Sequence, residues 1–207
     1  MNPTPRRGPA ARLLAALVPA VLVPAALGLA PRPAAAAPAV YDLIPDQTFV
    51  QFSLLHFDTS TIRGRLGPIA GTVTLDPAAG TGYVGLSIPI ASVDAGPKVF
   101  TARIREADLL ATQAWPQAYF VASHIRYADG QPVALRGEFT LRGVSQPLTL
   151  RAEHYACRTD RSGAQPSQVC GGDFTAEFDR SDFGITFGLP FVGNRVRLQV
   201  SVEARRR

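Results

Sequence analysis

The feature of the sequence that most constrains the fold is a period-two alternation of apolar and polar residues that recurs between residues 50 and 202. In its first stretch Val50, Phe52, Leu54 and His56 share one face, because successive side chains of a strand point to opposite sides. Similar stretches follow at residues 73–75, 84–90, 120–122, 133–141, 148–152, 174–178 and 196–202. About eight short strands separated by turn residues are typical of an all-β antiparallel sandwich or barrel.

One segment departs from this alternation. Residues 101–113 place Ile104, Leu109 and Leu110 at helical spacing, and Trp115-Pro116 ends the pattern. We therefore expect a short helical insert, 101–115, near one end of the barrel. Most of its charged side chains should face solvent: Arg103, Arg105, Glu106 and Asp108.

The first 37 residues are interpreted as a secretory signal peptide. Arg6, Arg7 and Arg12 precede an apolar stretch, 13–30, and small residues follow at 34–37. A stable membrane span is disfavoured because two prolines interrupt the apolar stretch. We expect cleavage between Ala36 and Val40, a single folded domain at 38–207, and a periplasmic or secreted location.

Removal of this leader changes the charge balance. The full chain has 21 basic and 16 acidic residues and a net charge of +5, but four of the arginines lie in residues 1–37, which leaves 17 basic residues and a net charge of +1. Three of the remaining arginines form the end of the chain, Arg205 to Arg207, and are interpreted as a solvated terminus. No nucleic-acid partner is expected for an exported chain that is close to neutral.

The sequence has two cysteines, Cys157 and Cys170, which flank a polar stretch containing Ser, Gly and Pro. Export would place them in an oxidising compartment. Their spacing fits neither a Cys-x-x-Cys redox pair nor a zinc motif. A disulfide that closes the loop between them is therefore the favoured reading, with a metal or redox pair as the alternative.

Motifs of the common enzyme classes are absent. The sequence has no Gly-x-Ser-x-Gly elbow, no His-Glu-x-x-His, no phosphate-binding loop and no dinucleotide fingerprint. Inward-facing positions carry almost no carboxylates that could act as a paired acid and base. We therefore expect no catalytic residues, no metal and no cofactor other than a bound ligand.

Several segments resemble the YceI family of secreted, lipocalin-like proteins associated with polyisoprenoid lipids. Residues 137–150, Gly-Glu-Phe-Thr-Leu-Arg-Gly-Val-Ser-Gln-Pro-Leu-Thr-Leu, are similar to the hairpin of that family, and residues 178–185 are similar to its Asp-Arg-Ser-x-Phe-Gly segment. Further similarities lie in order along the chain, at residues 41–43, 47–56, 91–96, 104–110 and 116–120. His56 matches the second histidine of the family's early motif, whereas Gln47 replaces the first.

The resemblance implies a lipocalin-like barrel that holds a long isoprenoid or similar amphiphilic lipid, such as an isoprenoid quinone. Periodicity alone favours a dry, filled core, and the resemblance favours a ligand. The ligand-binding positions are then the inward residues Val50, Phe52, Leu54, His56, Leu86, Ile88, Phe120, Phe139, Leu141, Phe174, Phe178, Val196, Leu198 and Val200. A barrel enzyme for lipid-like substrates and a structural envelope protein are the alternatives. A homodimer would need side-chain contacts, because closed barrels lack free edges.

Two polar features have more than one reading. His56 could be satisfied by the backbone at the barrel mouth, or could bind a quinone or hydroxyl headgroup. Arg180 lies between Asp179 and Asp182 in the sequence. Local ion pairs that fix a bend are the favoured interpretation, and a headgroup contact is the alternative.

Overall fold

The computed structural model describes residues 37–207. Apart from its last residue, the predicted signal peptide lies outside these residues. The strands are β1 (Ala39–Leu43), β2 (Phe49–His56), β3 (Ser60–Leu66), β4 (Ala70–Asp76), β5 (Thr81–Pro89), β6 (Gln117–Ala128), β7 (Gln131–Leu141), β8 (Val144–Asp160), β9 (Ser167–Asp179) and β10 (Arg195–Arg206). The helix α1 spans Lys98–Ile104, and 3₁₀ helices lie at Pro45–Gln47, Ile90–Ser92 and Arg180–Phe183.

The strands form an eight-stranded antiparallel closed barrel, as predicted. Around the barrel the order is β1, β4, β5, β6, β7, β8, β9 and β10, and β10 pairs back onto β1. Strand β1 pairs with residues 204–206 of β10, whereas β2 pairs with residues 197–201 of the same strand. Strand β3 pairs with β2 and thereby extends β4, the neighbour of β1. Two of the eight positions are therefore interrupted strands: β1 with β2, and β3 with β4.

The interruption between β1 and β2 is stabilised by a buried threonine. Thr48 is fully buried, and its hydroxyl donates to the carbonyl of Glu203 at 3.1 Å. The hydroxyl oxygen of Thr48 also accepts a hydrogen bond from the backbone N–H of Glu203, at 3.2 Å. One side chain thus replaces the ladder hydrogen bonds that β10 loses where its partner strand is broken.

Beside the closed circuit of eight strands, the hairpin of β2 and β3 leaves one edge of β3 mostly unpaired. Beyond its pairing with β2, strand β3 has only an isolated bridge, Arg65 with Asp94, among the described residues. Gly67 and Pro68 follow β3, and a proline has no backbone N–H for a ladder. The chain turns there and resumes pairing as β4.

The helical insert is present, although its helix begins and ends earlier than predicted. Helix α1 spans Lys98–Ile104, and turns follow to Trp115. The turn between β7 and β8 is also short. The turn consists of Arg142 and Gly143, both with positive φ, which is the geometry of a tight two-residue hairpin, and β8 begins at Val144.

The end of the chain is ordered as part of the barrel rather than a free tail. Arg205 and Arg206 belong to β10. Arg205 contacts Asp160 at 2.7 Å, and Arg207 contacts Asp42 of β1 at 2.6 Å. The pair of Arg207 and Asp42 lies where the first and last strands close the barrel, and the pair of Arg205 and Asp160 joins β10 to the end of β8.

Cys157 and Cys170 form a disulfide. The two residues are directly opposite each other in β8 and β9. The intervening stretch is therefore mostly paired strand rather than the loop that its polar composition suggested, and only residues 161–166 lie outside the two strands.

Replacing both cysteines by serine is expected to lower the free energy of unfolding by about 3 kcal/mol, because the bond closes a ring of about 14 residues in the unfolded chain. Thermal and urea unfolding measure the loss. Reductant should reproduce the loss in the wild type and leave the double variant unchanged. Equal stability of wild type and variant would contradict the prediction.

Candidate functional site

The interior of the barrel contains an apolar cavity at the end near α1. This outer cavity has a volume of about 270 Å³. Nineteen of its 22 lining residues are apolar, and the other three are His56, Arg103 and Arg180. Phe187, which is 52% exposed, lies on its wall and marks the end at which the cavity approaches the surface.

Ten of the predicted inward positions line the outer cavity: Val50, Phe52, Leu54, His56, Ile88, Phe139, Leu141, Phe178, Val196 and Leu198. Three others, Leu86, Phe174 and Val200, line a second and deeper cavity of about 60 Å³. Phe120 is buried but lines neither cavity. The structure thus separates residues that one periodic pattern had grouped together.

The sequence reasoning missed a large part of the wall of the outer cavity. The additional residues come from β3, from the 3₁₀ helix after β5, from α1 and its following turn, and from the segment before β10: Ile62, Leu66, Ile90, Phe100, Arg103, Ile104, Leu109, Leu110, Arg180, Ile185, Phe187 and Val192. The helical spacing of Ile104, Leu109 and Leu110 was the one signal that could have placed part of this wall.

Arg103 joins α1 to the segment before β10 at the edge of the outer cavity. Its guanidinium lies 4.3 Å from the ring centroid of Phe187, within the range of a cation–π contact. It also donates to both carboxylate oxygens of Asp108, at 2.7 and 2.6 Å. This hydrogen bonding lowers the pKa of Asp108 and raises that of Arg103. The charge of Arg103 is therefore balanced within the protein, whereas the sequence had predicted a side chain in solvent.

Arg180 is the buried cation of the outer cavity, and it is only 4% exposed. Its Nε donates to the carbonyl of Gly193 at 2.8 Å, and its Nη2 donates to that of Val192 at 2.8 Å. Its Nη1 donates to the carbonyls of Ile185 and Phe187 at 3.0 and 2.9 Å. All four acceptors belong to the segment between β9 and β10, which we call the mouth segment (residues 184–194).

The prediction of local ion pairs for Arg180 is wrong. Among the described residues Arg180 has no carboxylate partner, and Asp179 instead approaches the exposed Arg195 at 3.7 Å. Burial lowers the pKa of Arg180, but an arginine side chain stays protonated in proteins. Backbone carbonyl dipoles therefore stabilise its charge, and the residue holds the mouth segment against the barrel.

Two further contacts anchor the same segment. The amide of Asn194 donates to the hydroxyl of Ser181, and its side-chain oxygen accepts the N–H of Ser181, both at 3.0 Å. Phe183, in the 3₁₀ helix that contains Arg180, packs on Phe139 and Phe178 with centroids 5.5 and 5.1 Å apart. The 3₁₀ helix Arg180–Phe183 thus contacts both the mouth segment, through Arg180 and Ser181, and the wall of the outer cavity, through Phe183.

His56 lies at the end of β2, half-buried and on the wall of the outer cavity. Its ring meets that of Phe57 edge-on, with centroids 4.7 Å apart. Its main chain forms a β-bridge with Val192 of the mouth segment. The imidazole is therefore positioned where the apolar wall meets the surface.

The second cavity, which we call the inner cavity, is lined by apolar residues, two tyrosines and one cysteine of the disulfide. Tyr41, Tyr155 and Cys170 lie on its wall. Burial raises the pKa of Tyr155 to about 12, with a smaller contribution from the neighbouring tyrosines. The phenol is thus neutral at physiological pH, and this end of the lumen presents no ionised side chain.

The described residues show neither a metal cluster nor a membrane helix. Within residues 37–207, no group of three or more His, Cys, Asp or Glu side chains is arranged to hold a metal ion. None of the helices in this region has the length and apolar character needed to span a bilayer.

A closed antiparallel barrel with an apolar internal cavity defines a class of proteins that enclose small apolar molecules. The chain belongs to the YceI-like domain family, whose family model matches residues 41–204. A UPF0312 protein of Shewanella baltica (strain OS185) is 30% identical over 95% of this chain and 98% of its own length. Protein YceI of Escherichia coli O157:H7 is 32% identical over 75% of this chain and 80% of its own length.

Solved structures share the fold at lower identity. BcnA of Burkholderia cenocepacia is 22% identical, with a TM-score of 0.62 over 78% of this chain and 99% of its own. A polyisoprenoid binding domain from Saccharophagus degradans, implicated in plant cell wall breakdown, is 15% identical, with a TM-score of 0.57 over 81% of this chain and 98% of its own. These similarities support the barrel architecture.

Proposed function

We propose that this protein is an exported, non-catalytic binding protein that holds a polyisoprenoid or isoprenoid-quinone-like lipid in the outer cavity. The observation that carries the proposal is the apolar cavity of about 270 Å³ inside the barrel. Membership of the YceI-like family supports it, as does the polyisoprenoid binding domain that shares the fold.

The energetics of burial suit an isoprenoid chain. Each buried carbon contributes about 0.8 kcal/mol, so three isoprene units contribute about 12 kcal/mol. Loss of translational and rotational freedom costs about 4 kcal/mol or more. The remainder corresponds to a dissociation constant of about 1 µM, without any strong polar contact.

His56 is the residue proposed to contact the headgroup. It lies where the cavity reaches the surface, and either ring nitrogen can exchange hydrogen bonds with a hydroxyl or a quinone carbonyl. Arg103 is already paired with Asp108, and Arg180 already donates to four backbone carbonyls, so both are poor partners for an anionic headgroup. The site therefore favours an uncharged, oxygen-bearing headgroup.

The two alternatives to lipid binding receive less support. Among the described lining residues of the outer cavity there is no Ser, Thr, Cys, Asp or Glu that could act with His56 as a nucleophile or an acid–base partner. A barrel enzyme would need such a group. A structural envelope protein with a filled core would have no cavity of this size.

The proposed location is the periplasm or the exterior of the cell. The disulfide between β8 and β9 is the supporting observation, because such bonds persist in oxidising compartments. The predicted leader at residues 1–37 gives the same location. A homodimer is compatible with this proposal and has a candidate edge in β3, which pairs with β2 alone along most of its length.

Native mass spectrometry of gently purified protein tests the proposal. We expect an added mass of several hundred daltons that organic solvent removes and that extraction identifies as an isoprenoid. Delipidated protein should regain this mass when it is incubated with a prenyl alcohol. Protein that is always empty and takes up neither lipid nor an apolar dye would refute the proposal and favour a filled core.

A further inference from the structure

The outer and inner cavities are consecutive stretches of one lumen. Along β10, Val196 and Leu198 line the outer cavity, and the next inward residues, Val200 and Val202, line the inner one. On β5 the same change occurs between Ile88 and Leu86. A chain that entered at the mouth would therefore meet the inner cavity directly beyond the outer one.

A band of packed side chains separates the two cavities. Phe120, Leu148 and Ala176 are buried and belong to the core, yet they line neither cavity. Ala176 lies on β9 between Phe174, on the inner wall, and Phe178, on the outer wall. The band therefore occupies the level at which one cavity ends and the other begins.

Phe120 is the large side chain of this band. On one side it pairs with Leu86 of the inner wall, and on the other it pairs with Phe139 of the outer wall. Paired residues of neighbouring strands share a face, so the ring points into the lumen between the two cavities. Phe120 is 2% exposed and therefore fully packed there.

Along its own strand, the inward neighbours of Phe120 are small. Its inward neighbours on β6 are Ala118 and Ala122, and Ala122 pairs with Gly137 of β7. A Cβ atom at Gly137 would lie 2.2 Å from the carbonyl oxygen of Val121, so that position admits no side chain without a shift of the backbone. One phenyl ring thus fills space that its neighbours leave open.

We propose that Phe120 forms a partition that sets the length of isoprenoid chain that the barrel encloses. This inference rests on the proposed function, because it assumes that the chain enters the outer cavity. Typical ligand pockets have volumes of about 300–1,000 Å³, and the outer cavity, at about 270 Å³, lies just below this range. The enclosed ligand is then short, about three to four isoprene units, and longer chains leave their remainder outside.

Affinities of delipidated protein for a series of prenyl alcohols, from two to six isoprene units, test the partition. For the wild type we expect affinity to rise at least about tenfold per unit up to three or four units, and by less than about twofold for each unit beyond. In Phe120→Ala the two cavities merge, and affinity should continue to rise for about one or two further units.

Tyr119→Ala is the matched control, because Tyr119 is the preceding residue of β6, points to the outer face of the barrel and is 47% exposed. It should keep the wild-type plateau. A wild type whose affinity rises without a plateau, or a Phe120→Ala plateau at the wild-type length, would overturn the partition. If no alcohol of any length binds, the proposed function itself fails. The wild-type series decides the question even if Phe120→Ala does not fold.

Discussion

Leu54→Trp is expected to lose most of its affinity for lipid, whereas Leu55→Trp should bind as the wild type does. Leu54 lies on β2, half-buried, and lines the outer cavity close to His56. Leu55 is the next residue, points to the opposite side and is 50% exposed. The two variants thus make the same chemical change on the two faces of one strand.

The size of the effect follows from the space that the indole occupies. Tryptophan adds six non-hydrogen atoms to leucine, and these would displace a similar number of ligand atoms. At about 0.3 kcal/mol for each ligand atom, the loss is about 2 kcal/mol, or about 30-fold in the dissociation constant. The half-buried position should tolerate the larger side chain at a cost of about 1 kcal/mol in stability.

Displacement of a fluorescent apolar probe by a prenyl alcohol measures this difference, and thermal unfolding of each variant shows that both are folded. If Leu54→Trp takes up lipid as well as Leu55→Trp does, the ligand does not occupy the outer cavity. The experiment therefore separates binding inside the barrel from adsorption on its exterior.

The sequence was sufficient for the fold because most strands bury one face. Alternation in residues 84–90 and 196–202 predicted the strands that became β5 and β10. Strand β3 was missed because Arg63, Gly64 and Arg65 interrupt its apolar pattern, and one of its edges is mostly unpaired. The distal parts of β8 and β9 carry too few apolar residues to show a clear alternation, so their cross-strand register identifies them.

The candidate site was less predictable, for a geometric reason. Periodicity identifies the face on which a side chain lies but not its level along the barrel axis. It therefore grouped Phe120 with Phe139 and Phe174, which lie at the partition, the outer cavity and the inner cavity respectively. The mouth segment contributes Ile185, Phe187 and Val192 without any repeating pattern.

Arg180 illustrates a second limit, because neighbours in sequence are a poor guide to charge partners. In the sequence two aspartates lie within two residues of it, yet its hydrogen-bond acceptors are backbone carbonyls up to 13 residues away. Carbonyl acceptors leave no signature in the sequence. The contacts of Arg180 with the mouth segment become visible only in the three-dimensional structure, where that segment lies against the guanidinium group.

Arg180→Met is expected to produce the largest loss of stability of any substitution considered for this protein. Methionine has a similar length and no charge, but it leaves four carbonyls of the mouth segment without their donor. A buried acceptor that loses its partner costs about 1–3 kcal/mol. Because the segment can turn some of these groups toward water, we expect a total loss of about 3–5 kcal/mol, or about 10 °C in Tm.

Thermal unfolding gives the overall loss, and amide hydrogen exchange locates it. Faster exchange should be confined largely to residues 184–194, since Arg180 holds this segment against the barrel. Arg180→Lys should recover part of the stability, because an ammonium group retains the charge and three donors but not the planar fork.

Arg195→Met is the matched control: Arg195 has a side chain that is 67% exposed and forms only surface ion pairs, so its loss should cost less than about 0.5 kcal/mol. Equal stability of Arg180→Met and Arg195→Met would show that the carbonyl contacts of Arg180 do not hold the mouth segment.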